Sequence, residues 1–216
     1  LFLLSSNIAE VLTMFILICI GLPAPFVAIH LLWINLITDS TPAIALGMDP
    51  KDKNVMKEKP RDKKVTFLSN GGLNKTLIYG GIITISVIIA YFIPAWMNNV
   101  TDVRMFYENN SLFLGAARTM AFVTLAFGEL FHMLGMSADS ESFITVFKKK
   151  NIMMIFAFVV GFALQVFVVA TPGVNDIFKT RALDYKQWLI AIALSLLPLL
   201  VHELVILFKK VSKKKK

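Results

Sequence analysis

Six long apolar runs alternate with short polar stretches along the chain. They cover about 1–20, 26–47, 77–97, 115–136, 152–171 and 187–208. Each approaches the roughly 20 residues that an α-helix needs to cross a hydrocarbon layer about 30 Å thick. The pattern predicts an all-α fold, a polytopic membrane bundle of six transmembrane helices. The first two runs are joined only by Gly21-Leu22-Pro23-Ala24-Pro25, which predicts a tight antiparallel hairpin. Four segments follow: the hairpin at 1–47, a basic loop at 48–76, four further helices with their loops at 77–208, and a basic tail at 209–216.

The second run is apolar only at its ends. Its middle reads Trp33-Ile34-Asn35-Leu36-Ile37-Thr38-Asp39-Ser40-Thr41-Pro42-Ala43. An aspartate at the centre of a membrane helix costs about 2.5–3.5 kcal/mol on insertion scales, and such a carboxylate marks a functional site by default. Asn35, Thr38 and Asp39 have i, i+3, i+4 spacing and share one helix face. Pro42 has no N–H and disturbs the turn before it, around Thr38. A loosened turn in lipid survives only where protein or a polar cavity satisfies the backbone. The plainer reading is a polar seam that holds helices together.

Composition removes the soluble classes. The chain is 56% hydrophobic and 17% charged, with a mean hydropathy of +0.70. The net charge of +8 does not point to nucleic acid, because the basic residues gather in loops beside apolar runs. Segments 48–76, 137–151 and 209–216 hold 17 of the 22 Lys and Arg residues. The positive-inside rule places these three in the cytoplasm, with the C-terminus, and leaves only Arg104, Arg118, Lys179, Arg181 and Lys186 on the outer side. Cys19 is the single cysteine, so no intrachain disulfide is expected. The first run has no basic lead and carries Asn7 and Glu10, unlike a signal peptide. The chain opens on leucine inside a helix, which suggests a piece of a longer protein.

Three runs carry a carboxylate at depth. Asn7 and Glu10 share a face in the first, Asn35, Thr38 and Asp39 belong to the second, and Glu129 lies in the fourth within Phe127-Gly128-Glu129-Leu130. These side chains offer oxygen donors and no thiolate. Such sets suit hard cations, and calcium takes six to eight oxygens where magnesium sheds its water reluctantly. Other polar residues have duller readings. His202-Glu203 lacks the second histidine of a zinc-protease helix, and Glu203 is expected to pair with Lys209 or Lys210. His132, one turn after Glu129, reads as packing, and Gln165 as a helix–helix hydrogen bond.

Several stretches resemble the P-type cation-transporting ATPases. They are Ser5-Ser6-Asn7-Ile8-Ala9-Glu10, Gly21-Leu22-Pro23, Leu32-Trp33-Ile34-Asn35-Leu36-Ile37-Thr38-Asp39 and Pro42-Ala43-Ile44-Ala45-Leu46-Gly47. The likeness is strongest to calcium pumps of the sarcoplasmic/endoplasmic reticulum type and their bacterial relatives, and it covers the whole chain as the family's C-terminal membrane region. It implies that the six spans are the fifth to tenth membrane helices of a pump. It also implies that Asn7, Glu10, Asn35, Thr38, Asp39 and Glu129 bind calcium, the transported ion. Asp39-Ser40-Thr41-Pro42 departs from the Asp-Gly-Leu-Pro common in calcium pumps.

No Asp-Lys-Thr-Gly-Thr phosphorylation motif is present, so no catalytic residue and no ATPase activity are expected of this chain alone. The resemblance implies ATP and magnesium in absent domains. The expected partners are membrane lipid and the preceding helices and cytoplasmic domains of the same pump. The expected setting is the plasma membrane of a bacterium, with calcium exported and protons carried inward in return. Two alternatives stay open: a P-type pump for sodium, potassium, protons or manganese, and a non-enzymatic channel or secondary transporter.

Overall fold

A computed structural model describes residues 1–48, 66, 68–69, 71–138, 142–144 and 151–214. Most of the basic loop, Lys148 to Lys150 and the last two lysines lie outside the described residues. Those described are helical or irregular, with no strand among them. Among the described residues, six helices are long and apolar enough to span a membrane.

The first is α1, Phe2–Cys19. It is followed by α2, Ala28–Gly47, and α3, Gly72–Met97. A short α4, Val103–Asn109, precedes the long α5, Ser111–Ala138. Next come α6, Ile152–Ala170, and a short α7, Val174–Phe178. The last span is broken into α8, Tyr185–Ser195, and α9, Leu197–Lys214. Pro198 accounts for that break, because it supplies no N–H and its ring clashes with the carbonyl four residues earlier. The helices α3, α5 and α9 extend past the apolar runs at one or both ends. Their terminal turns are polar, so hydropathy alone trims them. The short α4 and α7 carry no span-length signal and were not anticipated.

The helix α5 runs through the centre of the bundle. The stretch Ala117 to Leu130 is buried apart from the half-buried Arg118. Lipid is as apolar as a leucine side chain, so close packing and hydrogen bonds hold such a bundle together. At Gly80, a Cβ would sit 3.0 Å from the Ser5 carbonyl oxygen and 3.0 Å from Ile8 Cγ2, which marks the close crossing of α1 and α3. At Gly161, a Cβ would meet Leu130 at 3.0 Å, and α6 crosses α5 there.

The turn between α1 and α2 is pinned from two sides. Tyr91 Oη donates to the Pro23 carbonyl at 2.7 Å, and Arg118 Nε donates to the Ala24 carbonyl at 2.8 Å. Tyr107 Oη in turn donates to the Tyr91 carbonyl at 2.6 Å. The hairpin is therefore fixed to α3 and α5 at the end opposite the lysine tail, which sets how α1 and α2 face each other at mid-depth.

A buried carboxylate cluster

The helix α2 is not a uniform α-helix. Between Ala28–Trp33 and Ser40–Gly47 it takes a π-helical turn, Ile34–Asp39. Pro42 withholds the N–H that the preceding turn would use, and the chain widens to the i→i−5 spacing that π-bulges adopt, often at functional sites. Two side chains satisfy carbonyls along this turn. Asn35 Nδ2 donates to Leu31 O at 2.8 Å, and Ser40 Oγ donates to Asn35 O at 2.6 Å. Thr38 Oγ1 lies 3.1 Å from Ile34 O. The disturbance expected around Thr38 is thus a defined wide turn.

The π turn aims Thr38 and Asp39 into the bundle, where they are 0% and 2% exposed. Thr38 Oγ1 donates to Glu129 Oε2 at 2.8 Å. Glu129 is wholly buried, and the charges acting on it are those of Asp39 and Glu10. Glu10 is 7% exposed, with the Asn35 amide beside it. Ser6, one turn before Glu10, faces Asp39. The three carboxylates from α1, α2 and α5 therefore face one buried region.

Much of this oxygen is unpartnered. Glu10 Oε1, both Asp39 carboxylate oxygens, Glu129 Oε1 and Ser6 Oγ are buried without a hydrogen bond. Leaving a buried polar group unsatisfied costs about 1–3 kcal/mol, and more where it is charged. Carboxylates, hydroxyls and amides facing one region are the donor chemistry of a hard cation. The carboxylates alone do not complete a site: among the described residues, no three His, Cys, Asp or Glu side chains close to metal-holding distance. The remaining oxygens would come from Thr38, Ser6, the two asparagines and backbone.

Asn7 and Asn35 differ from the other four candidates. Both are exposed, on the open side of the α1/α2 pair. Asn7 belongs to an exposed stripe with Leu3, Val11, Phe15 and Ile18. A hollow of about 340 Å³ adjoins Glu10 on this side, lined by Val11, Met14, Phe15, Ile18 and Leu31. The structure thus brings Glu10, Thr38, Asp39 and Glu129 together and leaves the asparagine amides at the edge.

Supporting contacts run in both directions from the cluster. Toward the end opposite the lysine tail, Trp33 Nε1 donates to Gln165 Oε1 at 2.9 Å, the helix–helix bond expected of Gln165. His30, one turn earlier, stacks on Phe122 at 4.3 Å, and its Nε2 lies 2.8 Å from the Phe178 carbonyl oxygen. Toward the lysine-rich end, His132 Nε2 lies 2.7 Å from Ser5 Oγ. The His132 ring packs on Tyr79 at 4.8 Å, and Tyr79 Oη lies 3.3 Å from His202 Nδ1. His132 is thus more than packing. Glu203 does not pair with Lys209 or Lys210 as expected. Its carboxylate accepts from Ser142 Oγ and from the Phe143 N–H, both at 2.7 Å, and so ties the segment after α5 to α9. Sequence reasoning also missed Ser6, whose only signal was its i, i+4 spacing to Glu10.

Known proteins are similar to this chain across nearly its whole length. The family profile described as "Cation transporting ATPase, C-terminus" matches residues 23–208. A "Calcium-transporting ATPase 1" of Bacillus cereus is 36% identical over 97% of this chain, which corresponds to 24% of that relative. A "Calcium-transporting ATPase" of Bacillus subtilis is 34% identical over 91% of this chain and 21% of its own length. An endoplasmic reticulum-type "Calcium-transporting ATPase 2" of Arabidopsis thaliana is 25% identical over 94% of this chain and 23% of its own. The chain spans about a quarter of the length of these relatives. With six span-length helices and a match over most of its residues, the chain belongs to the cation-transporting ATPase C-terminal family, as the membrane region of a P-type pump.

Proposed function

We propose that this chain is the ion-binding membrane part of an ATP-driven pump that exports calcium from the cytoplasm and carries protons inward in return. The observation that carries this reading is the Asp39 carboxylate. It is buried in a π-helical turn, faces Glu10 and Glu129, and has no hydrogen-bond partner on either oxygen. Calcium suits the donor set, which is all oxygen and bears three negative charges. The names of the Bacillus and Arabidopsis relatives point to the same ion.

Each candidate ligand has a part in this reading. Asp39 is the central ligand, set between α1 and α5 by the wide turn. Glu10 approaches from α1 and Glu129 from α5, where Thr38 fixes one oxygen and leaves the other toward the cluster. Asn7 and Asn35 supply amide oxygens at the open edge, where a helix of the pump outside this chain completes the shell. Phosphorylation by ATP with magnesium belongs to segments outside this chain. The lysine-rich ends of the bundle support a cytoplasmic C-terminus, and the Bacillus relatives support a bacterial plasma membrane.

Protons enter through the same carboxylates. When calcium leaves, three buried negative charges remain together without their counter-charge. At least one takes up a proton, and the uptake belongs to the cluster and not to one residue. The test is calcium uptake into inside-out vesicles carrying the full pump, followed with a pH-sensitive dye. The reading predicts ATP-dependent calcium accumulation with alkalinisation of the lumen. Uptake of another cation in place of calcium would overturn the ion assignment.

A further inference from the structure

At the lysine-rich end, α3, α5 and α9 part around a cavity of about 150 Å³. Its walls are apolar, and Ile78 and Val205, which line it, are both exposed. Tyr79 and His202 form its polar back wall, 3.3 Å apart. Two lysines sit at its rim. Lys75 lies in the first turn of α3 and is half-buried, and Lys209 lies near the end of α9 and is exposed. Both belong to the terminal, polar turns of membrane helices, at the depth of lipid headgroups. Lysine stems lie along apolar surface while the ammonium reaches the interface, and an ammonium there attracts anionic lipid.

We propose that this cavity is a binding site for one anionic phospholipid of the leaflet on the lysine-rich side. The acyl chains lie along Ile78 and Val205, and the phosphate sits between Lys75 and Lys209. A soluble anion would have no use for the apolar walls, and an apolar small molecule none for the lysines. A phospholipid uses both, in the order that the groove presents them from its walls to its rim. The site is independent of the carboxylate cluster, so it stands or falls apart from the identity of the transported ion.

The test is native mass spectrometry of the full-length pump in mild detergent, with phosphatidylglycerol and phosphatidylcholine of identical acyl chains. The expected result is preferential retention of one phosphatidylglycerol per chain. Lys75→Ala and Lys209→Ala should each lower that preference roughly five-fold, the effect of one basic residue at an anionic surface. Lys75→Arg with Lys209→Arg should keep it, which separates loss of charge from loss of fold. Val205→Trp, which fills the groove, should lower retention of both lipids. Equal retention of the two lipids, a preference that survives loss of both lysines, or retention unchanged by Val205→Trp would each overturn the proposal. So would displacement by soluble glycerol phosphate, which would make the site one for a free anion.

Discussion

Thr38 Oγ1 donates to Glu129 Oε2 at 2.8 Å, linking the π-helical turn of α2 to the centre of α5. The bond fixes one oxygen of Glu129 and leaves the other buried without a partner. Thr38 thereby orients the carboxylate and keeps α2 seated against the helix that carries it. A hydrogen bond to a charged group is worth about 1.5–3 kcal/mol. Thr38→Val keeps the shape and removes the donor, and in the full pump it should lower apparent calcium affinity roughly ten- to a hundred-fold. Thr38→Ser should restore most of it. The check is the calcium dependence of phosphorylation by ATP, and equal affinities for Thr38→Val and wild type would remove Thr38 from the site.

Glu129→Gln should weaken calcium binding less than Asp39→Asn does. Glu129 already spends one oxygen on Thr38, whereas Asp39 has both oxygens unpartnered. Calcium titration of the two variants side by side ranks them. A larger loss for Glu129→Gln would make α5, and not the π turn, the centre of the site.

Protons should compete with calcium. Each proton taken up by the cluster neutralises a carboxylate of the proposed calcium site, so apparent calcium affinity should fall as pH is lowered. Glu10→Gln removes one of the three exchangeable groups and should flatten the dependence. A pH series of calcium affinity on the full pump reads both effects. An affinity that does not change with pH would contradict proton return through these carboxylates.

The crossing of α1 and α3 should be strained by a side chain at Gly80. A Cβ there meets backbone, the Ser5 carbonyl oxygen at 3.0 Å, as well as Ile8, and backbone cannot move aside as a flexible side chain can. Gly80→Leu should destabilise the protein by about 1–3 kcal/mol, as overpacking does, and shift α1 with Glu10. Gly81 has nothing within 4 Å of its Cβ position, so Gly81→Leu is the matched control. Thermal unfolding in detergent compares them, and equal midpoints would show that the crossing is not close-packed.

The sequence carried the six spans, because membrane length and hydropathy are local properties. It also carried the disturbance in α2, since Pro42 acts on its own turn through bonds along the chain. Depth within the bundle was less legible. Asn7 and Asn35 share helix faces with Glu10 and Asp39, yet both amides lie at the open edge, because exposure depends on which helices flank α1 and α2. Glu203 was expected to pair with nearby lysines, but its carboxylate accepts from Phe143, 60 residues away. The Ser5–His132 and Tyr79–His202 contacts likewise join residues more than a hundred positions apart. Helical spacing gives the face of a residue and not the neighbour that the face will meet.

On the proposed function, the Asp39 carboxylate, with both oxygens unpartnered, is the core of a calcium site. The most direct test is equilibrium binding of radioactive calcium to the purified full-length pump, wild type against Asp39→Asn, in the absence of ATP. The substitution keeps size and shape and removes one charge from a site built on three. High-affinity calcium binding by the wild type and its loss in Asp39→Asn are expected. Wild-type affinity and stoichiometry in the variant would remove Asp39 from the site.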